Sequence, residues 1–493
     1  MDNQEPFQQY FKRNECESKF YSAACVITFL MSLMLLPVVL PVIFLLLAYN
    51  GIICVLIRLN GAVPLRADDV VWQQDRPTNR HIVSAAVFLA GQSTVEKLRE
   101  IVAQRLVYFV RESGEKLCPR LTYRIVTMFG QYVWLEDSGF SLEKQVRLWD
   151  GILPTTTDEV QDVVSDICSQ PLPLASPLWE FVLIPTPKMN NSHLFLFRIH
   201  HSYADGIALT RVFVNNLFDI PVKDYEPIRF TTKQRFLMWC KAVVVGPMTV
   251  LSKCLSQADC SVIHGNELSG KKRVAWSKKL SLATVKKIKG KTKTTVNDVM
   301  VSCLAGALRT YLKDHSTDKP QDIWAAVPVD VRASRKSLKF KNKFALVYLR
   351  APVGVEDDIE QLFETKRRMD EIKRSAEPLV AATTVRLLML LPHFLSKPIL
   401  DIFSGKMSCV LSNVPGPQVT LTIGGNEALG GVFWPPARCN IALKMSIFSY
   451  NGHINIGVMV DEAVIPEPKK IVCNFEKHFE KLCEFMGIEQ KDP

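Results

Sequence analysis

The chain has 493 residues, 48% hydrophobic and 22% charged, with a formal net charge of +11. That balance excludes a disordered or collagen-like protein, and the length exceeds one ordinary core, so two domains with accessory segments are expected. Thirteen cysteines, an odd number without any C-x-x-C pair, indicate neither a zinc nor a disulfide framework; reduced thiols facing a cytosol are the simplest account.

A tail over residues 1–19 leads into a membrane segment, 20–57. From Phe20 to Ile57 there is no charged residue, and Lys19 and Arg58 bracket the run. As one helix it would be about 55 Å long, against a hydrocarbon core of about 30 Å. Pro37 and Pro41 fall inside it, where proline breaks or kinks a helix. Two geometries follow: a single span made mainly of residues 38–57, or a hairpin entering and leaving on the same side, which the two prolines favour. The run is too long for a signal peptide, and no A-x-A site follows it. Lys12, Arg13 and Lys19 are balanced by Arg58 and Arg66, so charge does not set the orientation.

The first globular part covers residues 64–218. A strand over 81–89 ends at Gly91, and Ser93 or Thr94 caps a helix through Val95, Leu98, Ile101, Val102 and Leu106. A second helix is expected at 158–169. Pro177-Leu178-Trp179-Glu180 leads into an apolar strand at 181–184, able to pair with another at 193–199. Their connection holds a glycosylation sequon at Asn190. Residues 219–275 form a crossover linker with an amphipathic stretch, 236–251, that suits either a membrane interface or packing on the protein. The second globular part covers 276–485. A helix begins after Thr295, with Asp298 at the capping-box position. Strands are expected at 323–327, 344–349, 407–411, 441–448 and 454–460, with a helix at 359–375. Val385–Phe403, rich in Leu and broken by Pro392 and Pro398, is a further candidate membrane-facing element.

Two basic clusters carry the excess charge. One is an acid-free stretch from Lys271 to Lys293 that includes Lys286, Lys287 and Lys289; the other runs from Arg332 to Lys343. Such clusters suit an anionic membrane, the phosphates of a ligand such as CoA, or plain solvated surface. No nucleic-acid-binding motif accompanies them.

The most informative residues follow the strand at 193–199: Arg198-Ile199-His200-His201-Ser202-Tyr203-Ala204-Asp205-Gly206. Two adjacent imidazoles sit where a strand ends, in a loop that Asp205 and Gly206 turn into a helix. A neutral histidine takes a proton from a hydroxyl and returns it to a leaving group. Adjacent histidines lack the i, i+3 or i+4 spacing of helical metal ligands.

This H-H-x-x-x-D-G arrangement resembles the signature of the CoA-dependent acyltransferase superfamily. With Pro177-Leu178-Trp179-Glu180, Asn297-Asp298, Val327–Arg332 and Ser412-Asn413-Val414-Pro415-Gly416-Pro417, residues 64–485 resemble the wax ester synthase/diacylglycerol acyltransferase branch. Pro173 and Ser176 depart from the Asp and Arg usual there, outside the histidine motif. The resemblance implies an α/β (α+β) fold of two chloramphenicol-acetyltransferase-like domains, with mixed sheets and flanking helices meeting at a tunnel. It implies His201 as general base, with His200 and Asp205 shaping the loop. Asn297 and Asp298 become oxyanion or CoA-facing candidates, and Gly206, Trp179, Ser412 and Asn413 tunnel candidates. The expected activity is acyl transfer from long-chain acyl-CoA to a fatty alcohol or diacylglycerol at a membrane, with no metal or prosthetic group. Lys286, Lys287 and Lys289 are candidate contacts for CoA phosphates. The expected location is the membrane of the endoplasmic reticulum, with a lipid droplet as the alternative, and the enzyme facing the cytosol. Rival readings are another acceptor, such as a sterol or amine, or an inactive lipid-binding protein.

Overall fold

The structure, a computed structural model, describes residues 15–189, 191–220, 231–316, 319–332 and 340–489, with side chains from Tyr21 onward. The sequon at Asn190 and the basic residues Arg335, Lys336 and Lys339 lie outside the described residues.

A single uninterrupted helix, α1 (Glu15–Leu59), passes through Pro37 and Pro41. The reversal a hairpin needs is not made. Proline removes its own N–H and bends a helix, but Leu- and Val-rich sequence on both sides continues this one. Its last turns dock on the body, where Ile53 and Ile57 pack against Val126 and Val133. Asn50 Nδ2 donates to the Leu390 carbonyl at 3.1 Å. Every residue from Leu33 to Val42 is exposed.

The first half supplies β1 (Ile82–Ala90), α2 (Val95–Val102), a hairpin of β2 (Tyr123–Met128) and β3 (Gln131–Glu136), β4 (Val146–Leu148), α3 (Thr157–Ser169), β5 (Trp179–Thr186) and β6 (Ser192–His200). Thr94 caps α2, its hydroxyl accepting from the Lys97 N–H at 3.2 Å. β5 and β6 pair antiparallel, Trp179 opposite Ile199. Both are continuous apolar runs because both faces of their sheet are covered. Val160, Val164 and Ile167 of α3 pack on Val182, Ile184, Leu194 and Leu196. Leu98, Ile101 and Val102 of α2 belong to the cluster containing Phe181, Leu183, Phe195 and Phe197 on the other face.

After α4 (Gly206–Val212) comes α5 (Thr232–Leu255), then β7 (Lys272–Trp276), α6 (Leu282–Thr292), α7 (Val296–His315), β8 (Ile323–Asp330), β9 (Phe344–Ala351) and α8 (Asp358–Arg374). The apolar stretch expected to face a membrane forms two helices, α9 (Glu377–Leu388) and α10 (His393–Ser404). The chain finishes with β10 (Cys409–Pro415), β11 (Thr422–Ile423), β12 (Asn426–Trp434), β13 (Leu443–Tyr450), β14 (His453–Asp461) and α11 (Pro468–Phe485). α5 packs on α9 through small residues: a Cβ added at Gly246 would meet Val380 at 3.6 Å, and Ala242 lies in the same cluster as Val380.

The mixed sheet of the second half runs β9-β8-β10-β13-β14-β7, and the first sheet runs β11-β12-β1-β6-β5-β4. β12 comes from the second half of the chain yet pairs antiparallel with β1, Trp434 opposite Ser84. A division of the chain at 219–275 therefore does not divide the sheets. Gly430 and Gly431, beside a register shift in β12, weaken the strand pattern that would have announced this crossing.

Candidate active site

The nine-residue motif is placed by backbone pairing. β6 ends on His200, the His201 N–H donates to the His81 carbonyl at 2.8 Å, and Asp205 caps α4 by accepting from the Ala208 N–H at 2.9 Å. The other half of the molecule then clamps the loop. Arg332 donates to the Asp205 carboxylate at 2.5 Å and the Lys343 N–H donates to it at 2.8 Å. Asn342 Nδ2 donates to the carbonyls of His201 and Ser202, and to Asp69, which also pairs with Arg120 at 2.7 Å. Burial pushes the Asp69 carboxyl up, against the pull of Arg120 and Asn342. Arg332, expected within a basic surface cluster, is thus an internal tie between the halves.

The two adjacent imidazoles have opposite environments. Both ring nitrogens of His200 are engaged: Nε2 with Asp75 at 3.3 Å, Nδ1 with the Ser202 hydroxyl at 2.7 Å and with Gln73 Nε2 at 3.2 Å. The network is satisfied with the proton on Nε2, an assignment made from the partners. Asp75 also receives the His81 ring at 2.7 Å and the His81 backbone N–H at 2.9 Å. Burial opposes ionisation of Asp75, but the hydrogen bonds from His200 and His81 outweigh it and hold the carboxyl far below its ordinary range. Burial keeps His81 below its ordinary value despite Asp75.

His201 carries no such ties. Its Nδ1 is buried without a hydrogen-bond partner among the described residues. Its ring packs at a tilt of 33° against Trp72, centroids 4.0 Å apart, and meets Phe344 edge-on at 5.4 Å. Burial, reinforced by the imidazoles of His81 and His200, pushes His201 down to about 3. It is therefore neutral across the physiological range.

Asp75, His81 and His200 offer ligand atoms within 4.8 Å of one another. A divalent ion there would displace the hydrogen bonds that now join them. Two apolar cavities adjoin the motif. The first touches Gly206 and is walled by Phe197, Val414, Phe433 and Phe448 among others. The second is lined in part by Trp72 and Phe344, the rings flanking His201, though His201 itself lines neither cavity.

The remaining sequence candidates separate. Trp179 is a core residue, its indole donating to the Leu121 carbonyl at 2.8 Å, and lines neither cavity. Asp298 closes the capping box of α7, Thr295 N–H to Asp298 at 2.8 Å. Asn413 donates to Asn297, so these two meet each other and not the imidazoles. Ser412 lies opposite Ser446 in the sheet and lines neither cavity. Lys286, Lys287 and Lys289 are on the exposed face of α6, away from both cavities. Sequence reasoning missed Asp75, His81, Trp72, Asp69 and Asn342. Only the position of His81 at the head of an expected strand hinted at any of them.

Two sheets joined by an exchanged strand, with a histidine pair at the loop between them, define a class. The chain superposes on a wax ester synthase/diacylglycerol acyltransferase from Marinobacter aquaeolei with a TM-score of 0.61 and 21% identity, covering 86% of this chain and 100% of that one. It superposes on the first condensation domain of the CDA synthetase with a TM-score of 0.54 and 13% identity, covering 86% and 96%. The fold is shared with that acyltransferase and with this condensation domain. In sequence, residues 66–236 match the wax ester synthase/diacylglycerol acyltransferase catalytic domain and residues 340–483 the WS/DGAT C-terminal domain. The O-acyltransferase WSD of Acinetobacter baylyi is 24% identical over 429 residues, 79% of this chain and 90% of that one. The chain belongs to the wax ester synthase/diacylglycerol acyltransferase family, and is an acyltransferase of that family.

Proposed function

We propose that the protein is a membrane-bound O-acyltransferase that moves a long-chain acyl group from acyl-CoA to a lipid hydroxyl, making a wax ester from a fatty alcohol or a triacylglycerol from a diacylglycerol. The observation that carries this reading is the inequality of the histidine pair: His200 has both ring nitrogens hydrogen-bonded, while His201 is neutral, its Nδ1 without a partner among the described residues, between two rings that line an apolar cavity. His201 takes the hydroxyl proton as the oxygen attacks the thioester carbonyl. The tetrahedral intermediate then collapses, breaking the C–S bond, and the departing CoA thiolate recovers the proton from the imidazolium. A positioned base supplies on the order of 10²- to 10⁴-fold; positioning of the two substrates and stabilisation of the oxyanion supply the rest. The reaction is written without a metal or prosthetic group.

Helices α1 and α5 are each long and apolar enough to cross a membrane, and acyl-CoA is a cytosolic, membrane-impermeant thioester. Both support an enzyme held at the endoplasmic reticulum with its site facing the cytosol. Lys286, Lys287 and Lys289 are the candidates for CoA phosphates. Replacing all three with Ser is expected to raise KM for acyl-CoA with little change for the acceptor, an effect that salt would mask in the wild type.

The test is lipid analysis of cells expressing the wild type or His201→Ala, with fatty alcohol supplied and withheld. Ester formation is expected to vanish in His201→Ala while the protein still accumulates in membranes, and His200→Ala should be milder. Residual activity above about 10% would remove His201 from the role of base.

A further inference from the structure

We infer that the second cavity is the binding site of the lipid acceptor, and that it opens directly to the bilayer between α5, α9 and α10. The inference rests on the acyl-transfer reading above and assigns a place and a route to one of its substrates. The inner faces of these helices wall the cavity through Val250 of α5, Val380, Ala381 and Thr384 of α9, and Leu400 and Phe403 of α10. The outer faces of the same helices expose Phe236, Trp239, Leu387, Phe394, Leu395 and Ile402. Large apolar side chains left exposed on helices that pack together suit a contact with something apolar, and the neighbouring α1 is itself long and apolar enough to cross a bilayer. A lipid resting against the outer faces reaches the cavity by passing between helices, without crossing water.

The charges at the mouth favour a neutral lipid over acyl-CoA. Asp68 pairs with Arg386 at 3.0 Å and Lys253 with Glu377 at 3.3 Å. Arg438, on the wall, pairs with Asp401 at 3.2 Å. Each of these cations is already matched by a carboxylate, so among the described residues the cavity lining offers no unpaired positive charge to CoA phosphates. Trp72, which lines the cavity, packs on the His201 ring with the centroids 4.0 Å apart and the planes tilted by 33°. Trp72 thus joins the cavity wall to the imidazole that takes the acceptor's proton.

The test uses the full-length protein in phosphatidylcholine vesicles that contain a long-chain alcohol or a diacylglycerol. Thr384→Trp fills the cavity from its α9 wall and is expected to raise KM for the lipid acceptor about tenfold, with KM for acyl-CoA held within about twofold. Ala381→Phe gives an independent reading should the first variant fail to fold. A rise in KM for acyl-CoA instead, or no change in either constant, overturns the assignment. A diazirine-bearing long-chain alcohol in the same vesicles is expected to label residues of α9, α10 or Trp72. Labelling of the cavity in a protein that makes no ester would sink the transfer reading and leave the cavity standing. Ester formation with labelling confined to α1 would sink the cavity and leave the transfer reading standing.

Discussion

At the scale of single residues, the site works by giving two neighbouring imidazoles unequal surroundings. His200 spends both nitrogens on Asp75, Ser202 and Gln73, whereas His201 lies between aromatic rings. Because burial holds His201 down to about 3, kcat/KM is expected to stay flat as pH falls from 8 to about 5. An ordinary imidazole would lose activity through about 6.5. An acid limb centred near 6.5 in a pH–rate profile would contradict this environment. Stability carries the matching sign. Below about 6.5 the unfolded chain takes up a proton at this position that the folded one refuses, so stability falls with pH from there toward 3. His201→Gln is expected to flatten that part of the stability profile. His200, His201, Asp205 and Gly206 were legible from seven contiguous positions. Asp75 and His81 were not, because what joins them to His200 is the β1–β6 register, Ile82 opposite His200, a long-range pairing that no local pattern states.

At the scale of elements, Asp205 links the start of α4 to the end of β8. It caps the helix and accepts from Arg332, and both side chains of the pair are nearly inaccessible. Removing either partner strands a buried charge, which costs more than the pair itself contributes. Asp205→Ala and Arg332→Ala are each expected to lower Tm and activity together. Combining them should add much less than their sum, with a coupling of about 1–3 kcal/mol in a double-mutant cycle. Additive losses would mean that the two act separately. The apolar periodicity of α2, α3, α7 and α8 was legible, as were both strands leading to the motif, since each buries a face whose spacing is written locally. Between a hairpin and a single span at 20–57 the sequence leaves both open and the two prolines favour a break, whereas the flanking Leu and Val residues carry the helix through them.

At the scale of the molecule, a buried lysine sits in the second sheet. Lys444 on β13 is pushed down to about 7 by burial, with Lys272 reinforcing the shift. The unfolded chain keeps that proton up to about 10.5. The native state is therefore penalised fully at pH 7 and below, and progressively less toward pH 10. Lys444→Met is expected to raise Tm by several degrees at pH 7, with the gain shrinking as pH rises. An unchanged Tm at pH 7 would show that the ammonium is compensated in place. The two-sheet plan followed from the family resemblance, but the partner of β1 did not. A strand interrupted by paired glycines, lying over 300 residues from its neighbour, leaves no periodic trace.

That exchanged strand has a consequence for how the chain is made. β1 leaves the ribosome early, and β12 about 340 residues later. At about 5–20 residues per second, the open edge of the first sheet waits roughly 20–70 s for its partner. An unpaired strand edge is a template for pairing with another chain. A polypeptide ended at residue 425 is accordingly expected to aggregate when synthesised in a cell-free system, and supplying residues 426–493 after release should not rescue it.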